Sequence, residues 1–219
     1  MNIILLGFPG SGKSTQGNMI ANYFNLLHIS TGNILRSNKK LLNIKNNNFN
    51  LIKKGKLLPD NFITNVIMKY IKNSKNKNGL LFDGFPRTIN QAQSLKKRNI
   101  IINFIIELQI PEKILIKRIS GRRIHLPSGR IYHINFNPPK IYGIDDITGE
   151  PLIHREDDQE NSIKNRLYSY YINTKPIIKY FDNWKKINFS DFPKFYKINA
   201  NKEKEKIFKK ILKYIQNIK

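Results

Sequence analysis

The chain has 219 residues, 40% of them hydrophobic, which suits one compact domain with an insertion or two small domains. It has no cysteine, so disulfides and thiolate metal sites are excluded, and no apolar run nears the roughly 20 residues that cross a bilayer. The net charge of +24 raises the question of nucleic acid. The lysines are scattered through a chain heavy in Lys, Asn and Ile, so compositional drift is the favoured reading, and no specific nucleic-acid or membrane partner is expected. Met1-Asn2 leads straight into the first predicted strand without room for a signal peptide, and a soluble, cytoplasmic protein is expected.

Ile3-Ile4-Leu5-Leu6 reads as a short buried strand, followed at once by Gly7-Phe8-Pro9-Gly10-Ser11-Gly12-Lys13-Ser14. This stretch fits the phosphate-binding pattern G-x-x-x-x-G-K-[ST] in the required context, a strand before and a helix after. The glycines let the backbone wrap closely so that successive N–H groups face phosphate oxygens, and the helix adds its positive end. Lys13 then reaches the β- and γ-phosphates, and Ser14 or Thr15 supplies a hydroxyl near Mg²⁺. Lys13 to about Phe24 is the predicted helix, and His28-Ile29-Ser30 a second strand. Thr31 is a predicted N-cap for a helix through Ile34-Leu35-Arg36. Asn43 to Asn50 is either a loop or the weak end of a helix. The chain turns around Gly55 to Asp60, and Asp60 can cap a helix whose apolar face includes Phe62, Ile63, Val66, Ile67 and Tyr70.

Gly79 to Asp83 reads as a buried strand ending in a carboxylate, and Thr88-Ile89-Asn90-Gln91 as a capping box opening another helix. Ile100 to Leu108, interrupted mainly by Asn103 and Glu107, has the apolar character of a central parallel strand covered on both faces. Pro111 starts a helix that ends near Gly121. From Gly121 to Asp158 turn formers recur around a short strand at Arg130 to His133, which marks a small β-rich insertion. One long helix from about Gln159 to Lys186, a strand at Phe195 to Ile198 and a basic helix from Lys202 to Ile218 complete the chain. Strands alternating with helices predict an α/β fold: a doubly wound parallel sheet, helices on both faces, and nucleotide at the C-terminal strand ends.

Only nine of the 39 basic residues are arginine, and most of them fall in motifs. Drift does not explain that; planar, bidentate phosphate recognition does. The motifs are the loop Gly7 to Thr15, Ser30-Thr31-Gly32 with Leu35-Arg36, Asp83-Gly84-Phe85-Pro86-Arg87, and Gly121-Arg122-Arg123. Ser128 to His133, Asn137-Pro138-Pro139, and Asp157-Asp158-Gln159-Glu160 with Arg166 beyond follow in order. Together they resemble the adenylate kinases, in the bacterial form with a long lid, almost from end to end.

The resemblance implies the reaction ATP + AMP ⇌ 2 ADP with Mg²⁺, carried out by a monomer. It implies a P-loop core at 1–29, 59–120 and 159–219, a helical AMP-binding flap at 30–58 and a β-rich lid at 121–158. Lys13 and the backbone of Gly10, Ser11, Gly12, Ser14 and Thr15 would hold the ATP phosphates. Arg122 would face them from the lid hinge and Arg118 would stack on the adenine, with Ile131, Tyr132 and the Lys202 region completing that site. Thr31, Arg36 and the backbone of Lys56, Leu57 and Leu58 would contact AMP; Gly84, Phe85, Pro86 and Arg87 would continue that pocket. Gln91 would read the adenine edge, although it is also the capping-box partner of Thr88. Arg155 and Arg166 would span the two phosphate sites, and Asp83 would orient Mg²⁺ through bound water. Arg98 and Arg130 are read as structural or solvent-exposed.

Some relatives of this type hold the lid with zinc on four cysteines. The corresponding places here carry His125, Ser128, Asp145 and Thr148, and since Ser and Thr are poor zinc ligands a hydrogen-bonded polar cluster without zinc is expected. Three departures stand out: Asn33 where Asp is common, the drifted Asn-rich stretch before Gly55, and Asn199-Ala200-Asn201 in place of an Asp-Gly pair. The nearest rival function is another nucleoside monophosphate kinase, acting on UMP or CMP or using GTP. A rival of another class is a nucleic-acid-binding protein that uses ATP, suggested by charge alone.

Overall fold

Seven strands form in the computed structural model, which describes residues 1–37, 48–74, 78–187 and 193–217. They are β1 (Ile3–Gly7), β2 (Leu27–Ser30), β3 (Leu80–Asp83), β4 (Phe104–Gln109), β5 (Arg122–Ile124), β6 (Ile131–His133) and β7 (Lys194–Asn199). Five of them make a parallel sheet in the order β2-β3-β1-β4-β7. All five residues of β1 are buried, since helices cover both sides of the sheet. Their side chains alternate between two cores: Ile3 and Leu5 join one, Ile4 and Leu6 the other.

The first core is closed by helices α1 (Lys13–Phe24), α6 (Glu112–Ser120), α7 (Glu160–Ser169) and α9 (Lys204–Gln216), which contribute Ile20, Ile119, Leu167 and Ile211 among others. The second is closed by α2 (Thr31–Ser37), α4 (Asp60–Lys72), α5 (Ile89–Lys97) and α8 (Lys175–Ile187), through residues such as Leu35, Ile67, Leu95 and Phe181. The remaining α-helix among the described residues is the short α3 (Asn48–Lys53). Each fully buried Ile or Leu is worth roughly 1.5–3 kcal/mol of transfer free energy, so this two-sided burial is what holds the sheet. The predicted doubly wound α/β fold is what the chain adopts. No helix among the described residues is long and apolar enough to cross a membrane.

Local departures from the sequence reading have physical causes. Thr31 is the first residue of its helix, and its hydroxyl donates to the Asp83 carbonyl at 3.3 Å instead of capping. Asp60 likewise does not cap; Pro59 holds that position, and the Asp60 carboxylate accepts from Thr88 Oγ1 and Gln91 Nε2, both at 2.8 Å. Tyr70 lies at the exposed edge of its helix, outside the buried face of Ile63 and Ile67. The strand expected from Ile100 begins only at Phe104, because Asn103 spends its backbone N–H and side-chain oxygen on Asn2. Residues 43–47 of the ambiguous Asn-rich stretch lie outside the described residues, as does Ile218, and Asn48 to Asn50 open a helix.

The long helix predicted from Gln159 to Lys186 is interrupted by a π-helical turn, Tyr170–Thr174. Pro176 accounts for it: proline has no N–H to give and its ring crowds the carbonyl four residues back, Ile172, so the ladder widens just before it. The 121–158 segment is β-rich as expected. Its strands β5 and β6 pair antiparallel (Arg122↔His133, Ile124↔Ile131), and a bridge from Ile124 to Ile153 ties its end to its beginning.

Candidate active site

A cleft of about 720 Å³ opens at the C-terminal ends of β1, β2 and β3, where the strand order reverses around β1. The first wall is the loop between β1 and α1. Gly7, Gly10 and Gly12 have φ of +143°, +80° and +92°, values that L side chains avoid. A Cβ on Gly10 would also stand 2.6 Å from Ile119 Cγ1, so this glycine is needed for space as well as for conformation. The loop is further anchored by Phe8, whose ring lies 4.1 Å from that of Tyr170 and 5.0 Å from that of Tyr171. Tyr170 is therefore a packing residue, yet it also lines the cleft.

Lys13 Nζ donates to the Gly7 and Phe8 carbonyls, each at 2.8 Å. Burial lowers its pKa to about 7; Asp83 opposes the shift, while Arg87, Arg166 and Arg122 add to it. Ser14 Oγ donates to Asp83 Oδ2 at 2.6 Å. Burial alone would raise the Asp83 pKa, but the His28 ring at 3.6 Å, the Lys13 ammonium and the Ser14 hydroxyl reverse this and hold it at about 2. Nothing in the local sequence marks His28, a strand residue, as a neighbour of Asp83. Its Nδ1 pairs with Asn18 Oδ1 at 2.8 Å while its buried Nε2 faces Asp83 without a hydrogen bond.

The second wall is a set of guanidinium groups. Arg36, Arg87, Arg118, Arg122, Arg155 and Arg166 all line the cleft. Burial lowers the pKa of Arg155, with Arg122 and Arg36 adding to the effect, and burial also lowers that of Arg87, helped by Arg166. A guanidinium stays protonated at neutral pH, so these buried, mutually repelling charges favour an anion between them. Arg155 Nε is buried without a hydrogen-bond partner among the described residues. Burial would lower the Arg122 pKa too, but the Asp158 carboxylate outweighs it and the net shift is upward. Asp158 is 1% exposed and holds two arginines at once, Arg122 through Nε at 2.7 Å and through Nη2, and Arg166 through Nη1 at 2.9 Å.

The cleft thus gathers nearly every residue singled out in the sequence: Lys13 with its loop, Thr31, Arg36, Lys56 to Leu58, Asp83, Gly84, Pro86, Arg87, Gln91, Ile131, Tyr132 and Lys202. Phe85 is the exception. Its side chain is fully buried beside Phe82 in the second core and takes no part in the wall. The capping box forms with one change: Thr88 accepts from the Gln91 N–H, while Gln91 Oε1 accepts from Arg87 N rather than from Thr88. Gln91 therefore links Arg87 to Asp60, an arrangement invisible without the fold. His133 and Phe136, also unforeseen, line the far end, their rings 4.5 Å apart and Arg118 lying 5.9 Å from the Phe136 ring. Arg98 and Arg130 stay out of the cleft wall.

The four residues at the zinc-equivalent places do come together, as a hydrogen-bonded cluster. His125 Nδ1 pairs with Ser128 Oγ at 2.7 Å, Thr148 donates to Asp145, and Arg130 grips Asp145 with Nε and Nη2 at 2.8 and 2.6 Å. The Arg130 guanidinium holds the Asp145 pKa well below the ordinary carboxylate range. Among the described residues no cluster of three or more His, Asp or Glu is placed to hold a metal. Because Ser128 and Thr148 are poor zinc ligands, we expect dialysis against a chelator to move the melting temperature by less than about 1 °C. A fall of several degrees, recovered by Zn²⁺, would contradict this.

A strand, glycine-rich loop and helix facing a ring of arginines, with Ser14 and Asp83 paired beside the lysine, define a P-loop nucleotide phosphotransferase. The chain belongs to the adenylate kinase family: the model for that family matches residues 5–186. It is also similar to the adenylate kinase of Blochmanniella pennsylvanica (strain BPEN), with 43% identity over 222 residues covering 99% of this chain and 100% of that one.

Proposed function

We propose that the chain catalyses reversible, Mg²⁺-dependent transfer of the γ-phosphoryl group of ATP to AMP. An oxygen of the AMP phosphate forms the new bond to phosphorus as the bond to the β–γ bridging oxygen breaks, and two ADP result. The attacking oxygen is already anionic, so no proton has to be removed and no general base is required. Catalysis is then a matter of alignment and charge. The observation that carries this reading is the convergence of Lys13, Arg36, Arg87, Arg122, Arg155 and Arg166 on one cleft beside the phosphate loop.

In this reading the loop from Gly10 to Thr15 and Lys13 hold the donor phosphates, and Arg118, Ile131, Tyr132 and Lys202 the rest of ATP. Thr31, Arg36, Lys56 to Leu58, Gly84 to Arg87 and Gln91 form the AMP side, with the Phe85 contribution limited to its backbone. Arg122, Arg155 and Arg166 act on the transferring group, and residues 121–158 act as a lid that excludes water, while 30–58 act as the flap over AMP. Mg²⁺ neutralises phosphate oxygens when bound with ATP. The Ser14–Asp83 oxygen pair suits such a hard cation, one that keeps most of its ligands as phosphate and water. In this reading the enzyme acts as a cytoplasmic monomer.

The experiment is a coupled assay offering AMP, UMP, CMP and GMP in turn with MgATP. AMP is expected to be the preferred acceptor; equal rates with UMP or CMP would defeat the assignment. The Lys13 pKa of about 7 adds a pH signature. Only the charged form attracts phosphate, so ATP affinity is expected to fall about tenfold per pH unit above pH 7, until the raised pKa of the complex is reached. Isothermal titration from pH 7 to 8.5 measures it, and Lys13→Met, which retains ATP's own titration, is expected to lack the slope.

A further inference from the structure

We propose that Ser162 and Asn165 are positioning residues for the acceptor nucleotide, fastening the exit of helix α3 to the turn of α7 that carries Arg166. Helix α3 has six residues, too few to stand alone in water, and the turn that follows it satisfies the Asn50, Leu51 and Ile52 carbonyls through the backbone N–H groups of Lys54, Lys56 and Gly55. The next two carbonyls, of Lys53 and Lys54, are bonded by side chains of α7. Ser162 Oγ donates to the Lys53 carbonyl at 2.7 Å, and Asn165 Nδ2 donates to the Lys54 carbonyl at 3.0 Å. Gly55, the next residue, has a φ of +70°, and a Cβ there would lie 2.6 Å from the Ser162 carbonyl oxygen and 2.7 Å from Arg166 Cγ. Three successive residues are thus pressed against one turn of α7.

The chain then runs directly into Lys56, Leu57 and Leu58, which line the cleft, as does Arg166. Neither Ser162 nor Asn165 lines it. Their two hydrogen bonds set the distance between the backbone at 56–58 and the Arg166 guanidinium, two parts of the acceptor pocket that come from segments about a hundred residues apart. This inference rests on the functional reading above. The clasp touches no residue of the phosphate loop, so its loss is felt by the acceptor and not by the donor.

Steady-state rates with AMP varied at fixed MgATP, and with MgATP varied at fixed AMP, test it. For Ser162→Ala/Asn165→Ala we expect the AMP KM to rise about tenfold and the ATP KM to stay within about twofold. Ser162→Thr, which keeps the hydroxyl, is expected to retain an AMP KM near that of the wild type. Asn165→Ala alone, a change on an exposed face, is expected to raise the AMP KM about threefold, and it provides the same test should the double variant fold poorly. An unchanged AMP KM, an equal rise in both KM values, or a Thr variant as impaired as the Ala variant would overturn the proposal. Wild-type protein inactive with ATP and AMP would instead sink the functional reading on which it rests.

Discussion

Lys13→Met is expected to lower kcat by about 10³-fold, with the fold intact. The ammonium is the one cation carried by the phosphate loop itself, and burial already makes its charge costly, which is the state in which an arriving anion gains most from it. Met matches the length of the Lys stem and leaves the Gly7 and Phe8 carbonyls without that donor. Removing a desolvated charge offsets the lost hydrogen bonds, so the melting temperature is expected to hold or rise. Stopped-flow or coupled-assay kcat together with calorimetry measures both. A kcat within tenfold of the wild type would show that the arginines suffice without Lys13.

Arg87→Ala carries the second large effect, a kcat reduced about 10²- to 10³-fold together with a raised AMP KM. Three contacts hold this residue in place before any substrate arrives. Its Nε donates to the Gly84 carbonyl at 2.8 Å, its backbone N–H donates to Gln91 Oε1 at 2.7 Å, and its carbonyl accepts from Thr174 Oγ1 at 3.1 Å. Such fixing is what allows charge to act without reorganisation during the reaction. Arg87→Lys is expected to recover little, since a point charge cannot reproduce the fork. Because burial and the neighbouring Arg166 both work against the Arg87 charge, the Ala variant is expected to melt no lower than the wild type. Near-normal turnover in either variant would remove Arg87 from the acceptor site.

Much of the site was legible because it is written in contiguous motifs. The loop from Gly7 to Ser14 and the run from Asp83 to Arg87 each bring several functional groups together through local geometry alone, and the fold places both at strand ends. What escaped were contacts made across elements. Asp158 sits in a motif that by itself assigns it no role, and only the packing of the 121–158 segment on α7 makes it the shared partner of Arg122 and Arg166. The same holds for Asp60, read as a cap and found bonded to Thr88 and Gln91. Tyr170 and Thr174 looked like ordinary positions of a long helix, and the π turn before Pro176 puts them against Phe8 and Arg87.

By itself the sequence determined the strand-and-helix order, the parallel sheet, the phosphate loop and the surplus of arginine in motifs, all of which follow from spacing and backbone preference within a few residues. The tertiary structure alone decided which carboxylate meets which arginine, how far the charges of Lys13 and Asp83 are pulled from their ordinary pKa values, and which side chains tie the end of α3 to α7. Those are properties of distance and desolvation between segments remote in the chain, and neither quantity exists until the cores have closed.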